Sequence, residues 1–333
     1  MSGAGTNVPV AIAGFGTYAP ERVMTNADFE KILDTNDAWI TERTGIKERH
    51  FVADDECTST MAIAAAADAI KDAGLTPDDI DLLVMATTTP DQMVPAASAF
   101  VSDGLGLRCG SFDVNAACAG FAYGLVVGSS MISTGHRNVL VIGAETISRF
   151  LNFEDRGTAI IFGDGAGAAV LTPSTDGAGL LGWDLGCDGS AARLIEVPVG
   201  GSRRPAAPDT VTGTDHYLQM QGNEVFRKAV RAVEQSALAA LGYAGVEAGE
   251  VDLFIPHQAN VRIVEAVCQR IGVPMDKTVV NISKYGNTSA ASIPLAIGDA
   301  LAEGRINDGD LVLLSGFGAG MTWASVVLRW GRS

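Results

Sequence analysis

Long apolar runs are missing from this sequence of 333 residues. No stretch of some 18 uninterrupted apolar residues suggests a membrane-spanning helix. Positive charge is scarce as well: 23 Lys and Arg stand against 39 Asp and Glu, a formal net charge of −16. Such a chain has no global basic field to gather phosphates. That argues against a general nucleic-acid or anionic-membrane role, while leaving room for a local basic patch. Cysteines number five, at Cys57, Cys109, Cys118, Cys187 and Cys268, scattered and with no CxxC pair. They indicate neither a disulfide framework nor a zinc site, and they fit a reducing cytoplasm. The N-terminal MSGAGTNVPVAIAGFG has no basic segment ahead of its short apolar run and does not read as a signal peptide.

What is abundant is small and apolar. Hydrophobic residues make up 47% of the chain, and 39 residues are glycine, against only 6% aromatics. This is the composition of a compact Ala/Gly/Val-rich α/β protein with tight turns, long enough for one large domain or two packed halves. A pattern-level repeat favours two halves. TSTMAIAAAADAIKDAGL leads into the strand DLLVMATTTP, and NEVFRKAVRAVEQSALAALGYAGV leads into DLFIPHQAN. Each pair is followed by a strand, small residues and a helix, and then by a glycine-rich hairpin segment (TAIIFGDGAGAAVLTP and DLVLLSGFGAGMTWASVVLRW). The echo has a spacing of roughly 170 residues. It predicts a duplicated α/β unit, with one half in 1–175 and the other in 176–333, and an active site where the halves meet. On this spacing Cys118 and Asn287 fall at matching strand-to-helix corners. The segment from 176 to 222 has no counterpart and reads as an insertion over the site.

Within FDVNAACAGF, Cys118 stands where a strand hands over to a helix. A lone cysteine is ordinarily packing. Here, however, backbone N–H groups and the positive end of a helix point at the sulfur, a setting expected to lower its pKa. Of the histidines His50, His136, His216 and His257, the last ends a strand (VDLFIPHQAN) on the same predicted interface. Asn287, in YGNTSAAS, reads equally as a helix cap. Cys, His and Asn on three corners suggest thioester chemistry: a thiolate takes an acyl group, and His and Asn donate hydrogen bonds to a developing oxyanion. The same trio serves cysteine proteases, which the duplicated halves disfavour. Arg227, Lys228 and Arg231 share one helical stretch that reads equally as a solvated face or as a basic patch.

DVNAACAGF, FIPHQAN and YGNTSAAS, in that order, resemble the Cys, His and Asn motifs of the β-ketoacyl-acyl-carrier-protein synthase III family. TNDAWITERTGIKERH, EDRGTAIIFGDGAGAAVL, MQGNEVFRKAV and GFGAGMTWAS are similar to it too, so the resemblance runs along nearly the whole chain. It implies a thiolase-like fold in which two α/β halves form five αβαβα layers. It implies a cytoplasmic homodimer that condenses a primer acyl-CoA with malonyl-acyl-carrier protein, without metal or redox cofactor. Cys118 would carry the acyl group. Its N–H and one from the loop Gly318, Ala319, Gly320 would hold the first oxyanion, and His257 and Asn287 the second. Trp39 and Arg156 would sandwich the CoA adenine, Arg43 would meet CoA phosphates, and Gly222, Phe226 and Asn260 would line the pantetheine tunnel. Val94 and Phe317 would shape the primer pocket, Val94 reaching into the partner subunit. Arg227, Lys228, Arg231 and Arg262 would dock an acidic carrier protein.

Two departures stand out. Ala319 interrupts a loop that carries three consecutive glycines in some members, and alanine tolerates a positive φ poorly. Val94 replaces a bulky aromatic, which predicts a primer pocket open to branched or longer chains. An acyl-condensing or acyl-transfer enzyme of secondary metabolism is the alternative. A non-catalytic partner subunit is disfavoured because Cys118 is present.

Overall fold

The structure is a computed structural model and describes residues 8–332. The first half contains β1 (Val8–Tyr18), β2 (Arg22–Thr25), α1 (Asn26–Phe29), α2 (Asp37–Thr44), β3 (Glu48–Phe51), α3 (Thr58–Asp72), β4 (Leu82–Ala86), α4 (Ala97–Leu105), β5 (Gly110–Val114), α5 (Gly120–Ser133), β6 (Val139–Thr146), α6 (Arg156–Ala159) and β7 (Asp164–Pro173). The second contains β8 (Gly179–Cys187), β9 (Ile195–Glu196), β10 (Gln219–Met220), α7 (Gly222–Ala244), β11 (Leu253–Pro256), α8 (Val261–Ile271), α9 (Ile282–Tyr285), α10 (Ser292–Ala302), β12 (Leu311–Gly318) and β13 (Thr322–Arg329).

Nine strands form one sheet in the order β11-β12-β13-β8-β1-β7-β6-β4-β5. It is two similar sheets joined at a short seam, where Val8 pairs with Leu180 and Pro9 with Gly179. In the first, β5, β4 and β6 are parallel, and β7 and β1 follow antiparallel. In the second, β11 and β12 are parallel, and β13 and β8 follow antiparallel. The chain crosses from one sheet to the other between β7 and β8. The second sheet's counterpart of β5 is reduced to a single bridge between Phe254 and Thr278.

Helices α5 and α10 lie between the sheets. Both are apolar on more than one face, as burial from two sides requires. In α5, Phe121, Ala122, Leu125, Val126 and Ile132 are all buried, and in α10, Ile293, Leu295, Ala296, Ile297 and Ala300. One hydrophobic cluster joins them to strands of both sheets. Helix α3 covers the outer face of the first sheet, where Met61, Ala65, Ala69 and Ile70 pack on β4, β6 and β7 residues. Helix α7 covers the second, with Val225, Ala229, Val233 and Ala237 inward, and α8 packs beside it. The expected five αβαβα layers are therefore present.

The turns leading into the central helices are alike. Ala117 (φ 48°) opens the 3₁₀ turn Ala117–Ala119 before α5, and Ser289 (φ 49°) opens Ser289–Ala291 before α10. Matching these two left-handed residues corrects the expected register. Cys118 corresponds to Ala290, and Asn287 to Asn115. Asn287 also does not follow a strand directly, because α9 and Gly286 intervene.

Each turn sits against a glycine of the opposite half. A Cβ on Gly143 of β6 would lie 2.4 Å from the Ala290 carbonyl oxygen. One on Gly316 of β12 would lie 3.0 Å from both the Cys118 carbonyl oxygen and the Ala119 Cα. No side chain fits at the first position without backbone movement. Gly143→Ala is expected to lower stability by about 1–3 kcal/mol, the usual range for overpacking a tight core. Urea unfolding that left the unfolding free energy within about 0.5 kcal/mol of wild type, the range of surface substitutions, would refute this close approach.

Candidate active site

The ends of three strands converge on one cavity of about 1090 Å³. Cys118 follows β5, His257 follows β11, and Phe317, Gly318 and Ala319 come from the end of β12 and the turn after it. Asn287 joins them from the loop between α9 and α10. All of these line the cavity. The other three histidines do not. His50 bonds to the Pro20 carbonyl, His136 to that of Met131, and His216 stacks on Tyr217.

Cys118 is held in a crowded turn. Gly318 approaches so closely that a Cβ there would lie 2.5 Å from the Cys118 nitrogen. Thr322 ties the loops together by donating its hydroxyl to the Ala116 carbonyl at 2.8 Å. The thiol donates to Ser289 Oγ at 3.4 Å, and Ser289 donates to the buried carboxylate of Glu145 at 2.9 Å. Burial pushes the thiol up to about 12. The Ser289 hydrogen bond opposes this, and the charge of Glu145 adds to it. The direction is opposite to the lowering expected of a helix terminus, whose effect fades within one turn.

His257 is buried and its pKa falls to about 3, because its cation would be stripped of water with no carboxylate to compensate. Its ring is therefore neutral at physiological pH. Asn287 is fixed by a strand-like bridge: its N–H donates to the Ile161 carbonyl and its carbonyl accepts from Gly163, both at 2.9 Å. Its Oδ1 accepts the Ser289 N–H at 2.9 Å, which sets the amide so that Nδ2 remains the donor. The sharp turn in the loop after β12 falls on Gly320 (φ 126°), and Ala319 has no positive φ. Ala319 is accordingly tolerated, while Gly320 shapes the loop without lining the cavity.

At the mouth, the Arg43 and Arg156 guanidinium carbons each lie 4.9 Å from the Trp39 ring centroid. Gly222, Phe226, Asn260 and Arg262 also line the cavity. Asn260 is already engaged by protein. Its Oδ1 caps α8 through the Arg262 N–H, and its Nδ2 donates to the Arg43 carbonyl. Three predicted docking cations lie outside the cavity lining. Arg227 pairs with Glu224 at 2.6 Å and Lys228 with Asp188 at 2.7 Å. Among the described residues, Arg231 and Arg262 have no carboxylate partner within ion-pair distance. Val94 is 77% exposed and does not line this chain's cavity, although Gln92 and Met93 do.

Several site residues escaped the sequence reading. Ser289 lies two residues beyond Asn287 in a stretch that reads as a helix cap. Glu145 has a visible signal: it is the sole acid in the apolar run VLVIGAET. It accepts from the Thr88 N–H and the Thr89 hydroxyl, and burial raises its pKa. Ser292 carries no sequence signal, because it becomes a partner of His257 only when α10 meets β11.

Two α/β halves stacked in five layers, with a cysteine, a histidine and an asparagine around one deep cavity, define a condensing acyltransferase of the thiolase fold. Residues 112–189 match the family described as 3-oxoacyl-[acyl-carrier-protein (ACP)] synthase III, and residues 241–330 match its C-terminal part. A β-ketoacyl-[acyl-carrier-protein] synthase III of Desulfitobacterium hafniense is 50% identical, with 98% of this chain and 99% of the relative covered. One from Symbiobacterium thermophilum is 48% identical, with 97% and 99% covered. The solved synthase III structure from Thermus thermophilus superposes with a TM-score of 0.91 at 44% identity, covering 97% of this chain and all of that one. The chain belongs to the β-ketoacyl-[acyl-carrier-protein] synthase III family. Among the described residues, no helix is long and apolar enough to cross a membrane.

Two pH effects follow. Cys118 alkylation by iodoacetamide, read by mass spectrometry, is expected to rise about tenfold per pH unit from pH 6 to 9 without a plateau, as for a thiol whose pKa lies higher. A plateau near pH 7 would mean a stabilised thiolate. His257 titrates at about 3 in the fold against 6.5 unfolded, so above pH 6.5 it leaves stability untouched. As pH falls below 6.5 the unfolded chain takes up the proton first, and stability drops by up to about 1.4 kcal/mol per unit. His257→Gln should flatten that acid limb in urea titrations.

Proposed function

We propose that this protein catalyses the initiating condensation of type II fatty-acid synthesis in the cytoplasm. A primer acyl-CoA and malonyl-acyl-carrier protein give 3-ketoacyl-acyl-carrier protein, CoA and CO₂. The observation that carries the reading is the convergence of Cys118, His257 and Asn287 on a single cavity that Trp39 also lines, with two arginines against its ring.

In the first half-reaction, Cys118 sulfur attacks the acyl-CoA carbonyl. The C–S bond to CoA breaks, and the cysteine proton leaves with the CoA thiolate. The Cys118 N–H, beside Gly318, is the oxyanion donor, with a second from the loop through Ala319 and Gly320. In the second, malonyl thioester loses CO₂ and the electron pair moves onto its carbonyl oxygen as an enolate. Neutral His257 and the Asn287 amide donate to that oxygen. Neither carries a fixed charge, so the enolate is held without being trapped as a salt. Its carbon attacks the acyl-Cys118 carbonyl, the C–S bond to Cys118 breaks as the product departs, and the thiolate takes a proton from solvent. Loss of CO₂ drives the step, and the balance needs no redox cofactor.

The Trp39 face and the Arg156 plane suit an adenine, and Arg43 suits phosphates. Gly222, Phe226 and Asn260 line the path between this mouth and Cys118. Arg231 and Arg262 are the cations available to an acidic carrier. Arg227 and Lys228 contribute after exchanging an internal carboxylate for one on the carrier. The exposure of Val94 and Met93 supports a homodimer in which Val94 borders the partner's primer pocket beside Phe317. Val94 is smaller than an aromatic, so branched or longer primers fit.

Intact-protein mass spectrometry with acyl-CoAs from acetyl to long-chain tests the reading. Wild type should gain one acyl mass and lose it on addition of malonyl-acyl-carrier protein, while Cys118→Ala should gain none. Acylation without discharge would point to an acyl-transfer enzyme instead. Val94→Phe should suppress the longer primers at least tenfold more than acetyl, and an unchanged preference would remove Val94 from the pocket.

A further inference from the structure

We propose that Ser292, the first residue of α10, sets the tautomer of His257 and thereby decides which ring nitrogen offers a proton to the cavity. His257 Nδ1 lies 2.8 Å from Ser292 Oγ, and the Gln258 backbone N–H donates to the same oxygen at 2.7 Å. A backbone N–H only donates, so one acceptor site of the hydroxyl is taken. Among the described residues, His257 Nδ1 is the other polar atom bonded to it. Suppose Nδ1 carried the ring proton. Ser292 would then accept twice, and its own O–H would be buried without an acceptor. With Nδ1 bare, the hydroxyl donates to it and every group is satisfied. The ring proton then resides on Nε2.

Water cannot relieve the alternative, since His257, Gln258 and Ser292 are each no more than 3% exposed. Nor can the frame shift easily. The His257 N–H is bound to the Ser315 carbonyl at 2.7 Å. The Gln258 side chain donates to the carbonyls of Pro256 and Val279 at 2.8 and 3.0 Å and accepts the Asn281 N–H at 3.1 Å. Phe317 lies edge-on to the imidazole with 5.5 Å between centroids. Ser292 makes no hydrogen bond to Cys118, whose thiol is served by Ser289.

Its consequence for chemistry rests on the proposed condensation. Nε2–H is the donor that the enolate oxygen needs, so Ser292 is a positioning residue for the second half-reaction alone. The wild-type protein, labelled with ¹⁵N-histidine and assigned by the signal lost in His257→Gln, should show a proton-bearing Nε2 and a bare Nδ1. Ser292→Ala should acylate Cys118 within about twofold of wild type. Its discharge by malonyl-acyl-carrier protein should slow about 10- to 100-fold, the range for metal-ligating histidines that lose the partner orienting the ring. Ser292→Thr, which keeps the hydroxyl, should recover most of it. A wild-type proton on Nδ1 would overturn the proposal, as would equal loss or equal retention of both half-reactions in Ser292→Ala. If wild type itself were never discharged, the condensation reading would fail, while the nitrogen spectrum would still decide the role of Ser292.

Discussion

Two turns and two glycines hold this structure together at its centre. The turn that carries Cys118 rests on Gly316 of the opposite half, and the turn that carries Ser289 and Ala290 rests on Gly143. Each half therefore supplies the surface against which the other half's site loop is pressed. A methyl group at Gly143 would separate them. Because protein interiors are packed as densely as organic crystals, such a displacement is not absorbed locally. The cavity geometry and the joining of the sheets are one and the same constraint.

That arrangement explains the electrostatics. Pressing the turns together removes water from Glu145 and His257 and leaves Cys118 only partly exposed. A thiol driven up to about 12 and an imidazole driven down to about 3 are both held neutral by the same desolvation. In the condensation proposed above, neutrality suits the enolate, since a permanent cation would stabilise it too well. Cys118 is held by its turn and by its hydrogen bond to Ser289. Hydrogen-bond direction then becomes the informative variable: Ser289 orients the Asn287 amide, and Ser292 orients the imidazole.

The mouth of the cavity is governed by charge and shape of a different kind. The molecule is strongly acidic overall, yet Arg43, Arg156 and Arg262 gather around Trp39 and the cavity entrance. A local cationic rim on an acidic body attracts an anionic ligand to one place while repelling it elsewhere. Lys228 and Arg227 are partly neutralised by Asp188 and Glu224. The neighbouring helix is thus less basic in three dimensions than its linear sequence suggests.

Much was legible in the chain itself. Composition marked an α/β protein, because small apolar residues allow close packing of sheets and helices. The repeated succession of strand and helix marked two halves. His257 could be singled out because it ends a buried strand, and Cys118 because small residues surround it at a strand end. These are local properties, carried by a few neighbouring residues. What depended on the assembled fold was long-range. The register between the halves was set by the matching left-handed residues Ala117 and Ser289, which pair Cys118 with Ala290 and leave Asn287 opposite Asn115. The pKa of Cys118 was decided by how much protein closes over it, which no neighbouring residue encodes. Ser292 stands 35 residues from His257 in sequence and touches it only because α10 begins where β11 ends. Sequence determines which chemistry a residue can perform. Burial and hydrogen-bond direction, which exist only once distant elements meet, determined which protonation state each group holds.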